Sequence, residues 1–374
     1  MLKKIILSRL KTILPALLLS GVASSIHAQP SGLDLKVFGY FQASLGYRND
    51  VGGPVEEKSF NLQQLNLFLQ KELAPKWTVF INFELVNSFS SFHSWGAHNL
   101  EEAWVSYRRS AQLRLKLGLQ VPAFNNLNEI KNKTPLLPYI IRPLAYESSF
   151  NEIISLEEFA PRQAFAQLYG FIPAKDLKVD YALFAGNSPN INNDPARGQT
   201  GVDTTKLFLV GGRFGLRTSN LKLGVSATFD HVDFSPGAKF LGFSPTEFNK
   251  VPRLRLGADF SLNAGKWTWE SEFIQVTYDD DHPALNIDKK FYYGTLGYHF
   301  NESLFAYGGY WFTGANSLPA QDLDIITPTI GAAYNFSEAI FVKAQYGPVR
   351  FKTSQPTASE NRADYYFLAI SVVF

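Results

Sequence analysis

Between residues 122 and 161 the chain carries Glu129, Lys131, Lys133, Arg142, Glu147, Glu152, Glu157 and Glu158, with Arg162 at the exit. Charges of both signs on one long segment do electrostatic work best. They attract one ion and repel another, and low-dielectric walls around them focus the field. Arg142, Arg162, Lys131 and Lys133 are the candidates for attracting anions, with Arg114 and Lys116 just upstream. Glu129 and Glu147 are candidates for an opposing acidic wall. A surface lid with solvated charges is the plainer alternative. Signals for covalent chemistry are poor: the chain has no GxSxG elbow, HExxH pair or phosphate loop. His93 and His98 share one connection without a matching pair elsewhere. Asp279, Asp280, Asp281 and Asp288 have oxygen ligands suited to calcium, but a solvated acidic tip accounts for them more simply. No catalytic residue, metal ligand or cofactor is assigned.

The elements that must hold these charges read as strands. In 113–121, Leu113, Leu115, Leu117, Leu119 and Val121 share one face, opposite Arg114, Lys116, Gly118 and Gln120. The same alternation runs through 33–47, 77–88, 221–230 and 252–261. Charges recur on the second face, which suggests a wet lumen rather than a second dry core. By this parity Arg253, Arg255, Lys222, Lys178 and Lys343 face the lumen with Arg114 and Lys116, and Arg213 is a further candidate. Glu84, Glu102, Asp180, Asp230, Asp259, Glu270 and Glu272 share it.

Sixteen strands fit between residue 33 and the end, with weaker alternation in the eighth, eleventh and thirteenth. Fourteen or eighteen remain open. Short connections (72–76, 110–111, 173–176, 218–220, 262–265, 301–302, 337–338) alternate strictly with long ones, as in an up-and-down transmembrane barrel. The stretch 122–161 is then the third long loop, which in place and length resembles the third loop of sixteen-stranded porins, where it commonly folds into the bore. Trp77, Trp267, Trp269, Phe300, Phe336 and Phe374 lie beside short turns. Tyr47, Tyr278 and Tyr346 lie toward the long loops, and the two sets suit the two membrane interfaces.

Both ends agree with an envelope location. Residues 1–28 read as an export signal, with a basic start (Lys3, Lys4, Arg9, Lys11), a short apolar core and a cleavage site before Gln29. The mature barrel domain is then 29–374. Loss of those four cations takes the formal charge from +2 to −2, and no basic run tracks phosphates, so nucleic acid is not an expected partner. The absence of Cys removes a disulfide framework. At the other end Tyr366, Leu368, Ile370, Val372 and Phe374 form one outward face ending on an aromatic. This resembles the C-terminal insertion signal of outer-membrane proteins, with Phe374 and Tyr366 as its marks.

Three segments resemble a known family: QVPAFN at 120–125, PRQAFAQLYGF at 161–171 and DYALFAGN at 180–187. They are similar to stretches of the porins related to the phosphate-selective porins O and P. The resemblance implies a trimeric, water-filled, sixteen-stranded channel inserted by the barrel-assembly machinery into outer-membrane lipid. It also implies small hydrophilic solutes as partners and an anion-leaning filter. The mixed acidic and basic lining departs from the purely basic ladder of its best-known members. Two other readings stay open: an outer-membrane barrel enzyme of the lipase or protease type, and a secreted soluble β-sandwich.

Overall fold

A computed structural model describes residues 35–51, 56–87, 97–130, 133–146, 163–188, 205, 207–232, 251–279, 287–316, 322–353 and 361–374. Sixteen antiparallel strands form one closed sheet in which every strand pairs with its neighbours in sequence. They are β1 (Lys36–Val51), β2 (Glu56–Ala74), β3 (Trp77–Asn87), β4 (Ala97–Arg108), β5 (Arg114–Gln120), β6 (Gln163–Ala174), β7 (Leu177–Gly186) and β8 (Leu209–Arg217). The second half holds β9 (Leu221–Val232), β10 (Val251–Ala264), β11 (Trp267–Tyr278), β12 (Ile287–His299), β13 (Leu304–Asn316), β14 (Asp322–Asn335), β15 (Ile340–Thr353) and β16 (Asn361–Val373). β1 closes the sheet on β16, with Tyr40 opposite Val373 and Val51 opposite Arg362. Closure leaves no sheet edge, so backbone donors and acceptors are satisfied without water, as hydrocarbon surroundings require.

Alternation decides the two faces. In β10, Leu254 and Leu256 are exposed on the outer surface while Arg253, Arg255 and Asp259 are buried inside. In β16, Tyr366, Leu368 and Ile370 point out and Ala369 and Ser371 point in. Exposed apolar side chains repeat around the barrel, for example Phe83, Leu117, Leu183, Phe214, Val225 and Leu296. Such a surface is stable in lipid and not in water. Trp77, Trp267, Trp269, Phe300, Phe336 and Phe374 stand exposed at the short-turn end, where wet and apolar surroundings meet.

Tyr278 does not join the opposite belt. It is buried inside the barrel, beneath the Arg253 guanidinium at 5.8 Å. The reading of a uniformly wet lumen also needs correction. Val232, Val251, Ile274, Val276, Phe291, Tyr293, Trp311, Ile325, Val349 and Phe367 face inward and pack into one buried cluster with the third loop. This explains the weak alternation of β11 and β13, because their inner faces meet protein instead of water. β8 is weak for another reason: Gly211, Gly212 and Gly215 interrupt its pattern.

Candidate pore constriction

The third loop leaves β5 and crosses the bore. Asn125 takes a left-handed backbone (φ 53°), a conformation that asparagine tolerates better than most residues. Its N–H donates to Ser226 Oγ at 2.9 Å and its Nδ2 to the Phe273 carbonyl at 3.3 Å. The approach to β10 is close: a Cβ on Gly257 would lie 2.3 Å from Asn125 Oδ1. Glu272 Oε1 then accepts the N–H groups of Asn126 (3.0 Å) and Leu127 (2.7 Å). Tyr146 donates its hydroxyl to the other Glu272 oxygen.

Farther along, two single-turn 3-10 helices, Thr134–Leu136 and Leu144–Tyr146, hold the loop compact. Lys343 Nζ donates to the carbonyls of Thr134 and Pro135, both at 3.0 Å, and to Gln42 Oε1 at 2.9 Å. Gln345 acts as a surrogate strand edge. Its Oε1 accepts from Ile140 and Ile141 N–H at 2.7 and 2.8 Å, and its Nε2 donates to the Ile141 carbonyl at 3.0 Å. Gln63 Nε2 donates to the Ile140 carbonyl at 2.6 Å. A register shift at Gln42/Ala43 leaves Gln63 as an extra residue between paired positions, which lets it reach the loop. Tyr139 packs edge-on against Tyr307 and Trp311. Burial pushes the phenols of Tyr139 and Tyr146 well above the usual tyrosine range.

The loop therefore lies on the inner wall of β9–β16. Several charges on that wall and on the adjoining β7 and β8 pair with one another, while Lys222 and Glu270 stay exposed on a cavity. Asp230 bridges Arg253 at 2.6 Å and Arg255 at 2.8 Å, with all three side chains sealed from water. Arg213 is held between Asp180 (2.6 Å) and Asp259 (2.8 Å). Parity does place Arg253, Arg255 and Arg213 inside, but it does not show that they are covered. Lys343 likewise serves as a loop anchor.

The opposite arc, β1–β8, also carries charges, with Lys116 and Glu101 buried and Glu84 and Glu102 half-buried. Arg142 comes within electrostatic reach of Tyr40 on β1. Lys116, Lys133 and Glu129 are all within reach of Glu102 on β4. Lys116 sits over Trp104 at 5.3 Å and Tyr169 at 6.0 Å, and Arg114 over Tyr169 at 5.9 Å. Glu102 accepts from Trp104 Nε1 at 2.8 Å. Glu84 accepts from Gln64 at 2.6 Å. A register shift between Asn82 and Phe83 adds Glu101, buried next to Glu102, and strand parity alone cannot find such a residue. Lys222 is exposed and lines a cavity of about 520 Å³ between the loop and the β8–β15 wall. Lys131, Glu147 and Arg162 lie outside the described residues, as do His93, Asp280 and Asp281. Asp288 accepts from Thr277 Oγ1 at 2.8 Å.

A closed sheet with a lipid-compatible exterior and a charged, loop-narrowed bore defines an outer-membrane channel. The chain belongs to the Gram-negative porin family, whose model matches residues 16–354. A search of curated protein sequences found no match. Among solved structures, the fold is similar to the outer membrane channel DcaP of Acinetobacter baumannii (TM-score 0.64, 10% identity, covering 92% of this chain and 99% of that one). It is also similar to an anion-selective porin from Comamonas acidovorans (TM-score 0.60, 10% identity, 91% and 99% covered). A third is the trimer form of OmpT from Vibrio cholerae (TM-score 0.57, 12% identity, 91% and 99% covered). At these identities the likeness is one of fold.

Proposed function

We propose that each subunit forms a water-filled path for passive diffusion of small hydrophilic solutes, leaning toward anions, within a homotrimer. The observation that carries this reading is the asymmetry of the bore. The loop packs mainly against β9–β16 and meets the β1–β8 arc with mixed charges on both sides: Lys133, Arg142 and Glu129 on the loop, and Arg114, Lys116, Glu84 and Glu102 on the wall. Exposed Lys178, Arg217 and Lys222 add positive charge on the short-turn side of the loop. Low-dielectric walls focus the field of these charges, and the cations among them draw anions. Lys131, Arg162 and Glu147 belong to the same proposed filter. The anion selectivity of the Comamonas porin and the trimer form of OmpT support the analogy at fold level. Processing before Gln29, with the barrel spanning 29–374, completes the proposal.

The test is single-channel recording of the purified mature protein in a KCl gradient. Stable steps in threes with an anion-biased reversal potential are expected. Arg142→Ala should move the reversal potential toward the cation side. A cation-biased wild type would discard the anion lean. An Arg142→Ala variant identical to wild type would remove that residue from the filter.

A further inference from the structure

On the short-turn side of the loop, the β5–β8 wall encloses a cavity of about 290 Å³ whose lining includes Arg114, Tyr169, Phe171, Lys178, Asp180 and Arg217. Cross-strand register sets their order. Arg114 lies opposite Tyr169, Phe171 opposite Asp180, and Lys178 opposite Arg217. Tyr169 and Phe171 are two apart on one strand, so both rings face the cavity. Each carries a cation: Arg114 lies 5.9 Å from the Tyr169 ring centre and Lys178 lies 5.6 Å from that of Phe171. Among these groups Asp180 engages Arg217 only loosely, at 3.4 Å, because its shorter contact is with Arg213. Arg114 Nε is buried and has no hydrogen-bond partner. Arg114 as a whole is half-buried and lines the cavity, and a guanidinium is a strong partner for a carboxylate.

Simple inorganic ions do not need the rings. A solute that uses the whole site has a carboxylate for Arg114 and a flat apolar body for Tyr169 and Phe171, and its size suits the cavity. Resting on the channel reading above, we infer that this wall is a binding subsite for planar organic carboxylates, visited on the short-turn side of the constriction.

Benzoate is the probe, with acetate, cyclohexanecarboxylate and phosphate as comparisons. Binding is measured by calorimetry on the detergent-purified protein, so the result does not depend on conductance. Benzoate should bind at least about fivefold more tightly than acetate or cyclohexanecarboxylate, the size expected of one aromatic contact, and should interrupt single-channel current in the same range. Tyr169→Ala should lose that preference, and Tyr169→Phe, which keeps the ring, should retain it. Arg114→Gln should weaken every carboxylate by about tenfold, as loss of a charge-assisted bond does. Equal binding of acetate and benzoate would overturn the inference. So would phosphate binding as tightly as benzoate, or a Tyr169→Ala variant that keeps the preference. Stable KCl steps without benzoate binding would refute the subsite alone. Benzoate binding without KCl steps would refute the channel reading and leave the subsite standing.

Discussion

Inward-facing charges in this barrel divide by what covers them. Asp230, Arg253 and Arg255 share one sealed cluster, and Arg142 belongs to the loop surface that meets the β1 wall. Removing the carboxylate from a buried ion cluster leaves uncompensated charge and costs about 3–5 kcal/mol. Asp230→Asn should therefore lower the temperature at which the folded band converts in heat-modifiability gels. Its reversal potential should stay at the wild-type value, because no solute reaches the cluster. A shifted reversal potential in Asp230→Asn would show that the cluster contacts the passage. Arg142→Ala carries the opposite expectation, with selectivity changed and folding largely intact.

Among the elements, the third loop is held by the charged anchors Glu272 and Lys343 and by the uncharged Gln63 and Gln345. Gln345 alone makes three backbone contacts with Ile140 and Ile141. Gln345→Leu leaves those groups unsatisfied, at about 1–3 kcal/mol for each buried one. The variant should show larger open-channel noise and raised conductance as the loop detaches, and wild-type noise would mean that Gln345 is dispensable. The two buried loop phenols give a second handle. Their folded pKa values lie above the unfolded value of roughly 10. Docking is therefore at full strength below that pH and weakens as pH rises through and beyond it, because the detached loop releases protons that the docked loop retains. Channel noise should rise in strong alkali, above about pH 10. A change confined to acid pH would contradict this. Sequence reading located the loop and its charges but missed these anchors. Gln63 reaches the loop only through a register shift, and strand parity cannot report a shift of one residue.

At the scale of the whole barrel, closure joins the two ends of the chain. Phe374 and Gly39 exchange backbone hydrogen bonds at 2.8 and 3.0 Å. A Cβ at position 39 would lie 2.4 Å from the Asn66 carbonyl oxygen and 2.8 Å from the Phe374 ring. Gly39→Val should therefore slow conversion to the heat-modifiable folded form in refolding assays, since the last seam forms against a clash. Folding at the wild-type rate would show that the seam adjusts freely. The sixteen strands, their alternating faces, the outer aromatic rows at the short-turn end and the long third loop were legible in the sequence. Each follows from a local rule: side chains alternate with period two, and short turns follow long loops. Tertiary structure alone decided which inward charges are sealed, that Tyr278 is core instead of interface, and that part of the lumen is packed with protein. These outcomes depend on where a forty-residue loop comes to rest, and that is set by contacts between residues more than a hundred positions apart, such as Asn125 with Ser226 and Ile140 with Gln345. A period-two pattern records which way a side chain points and carries no information about what will cover it.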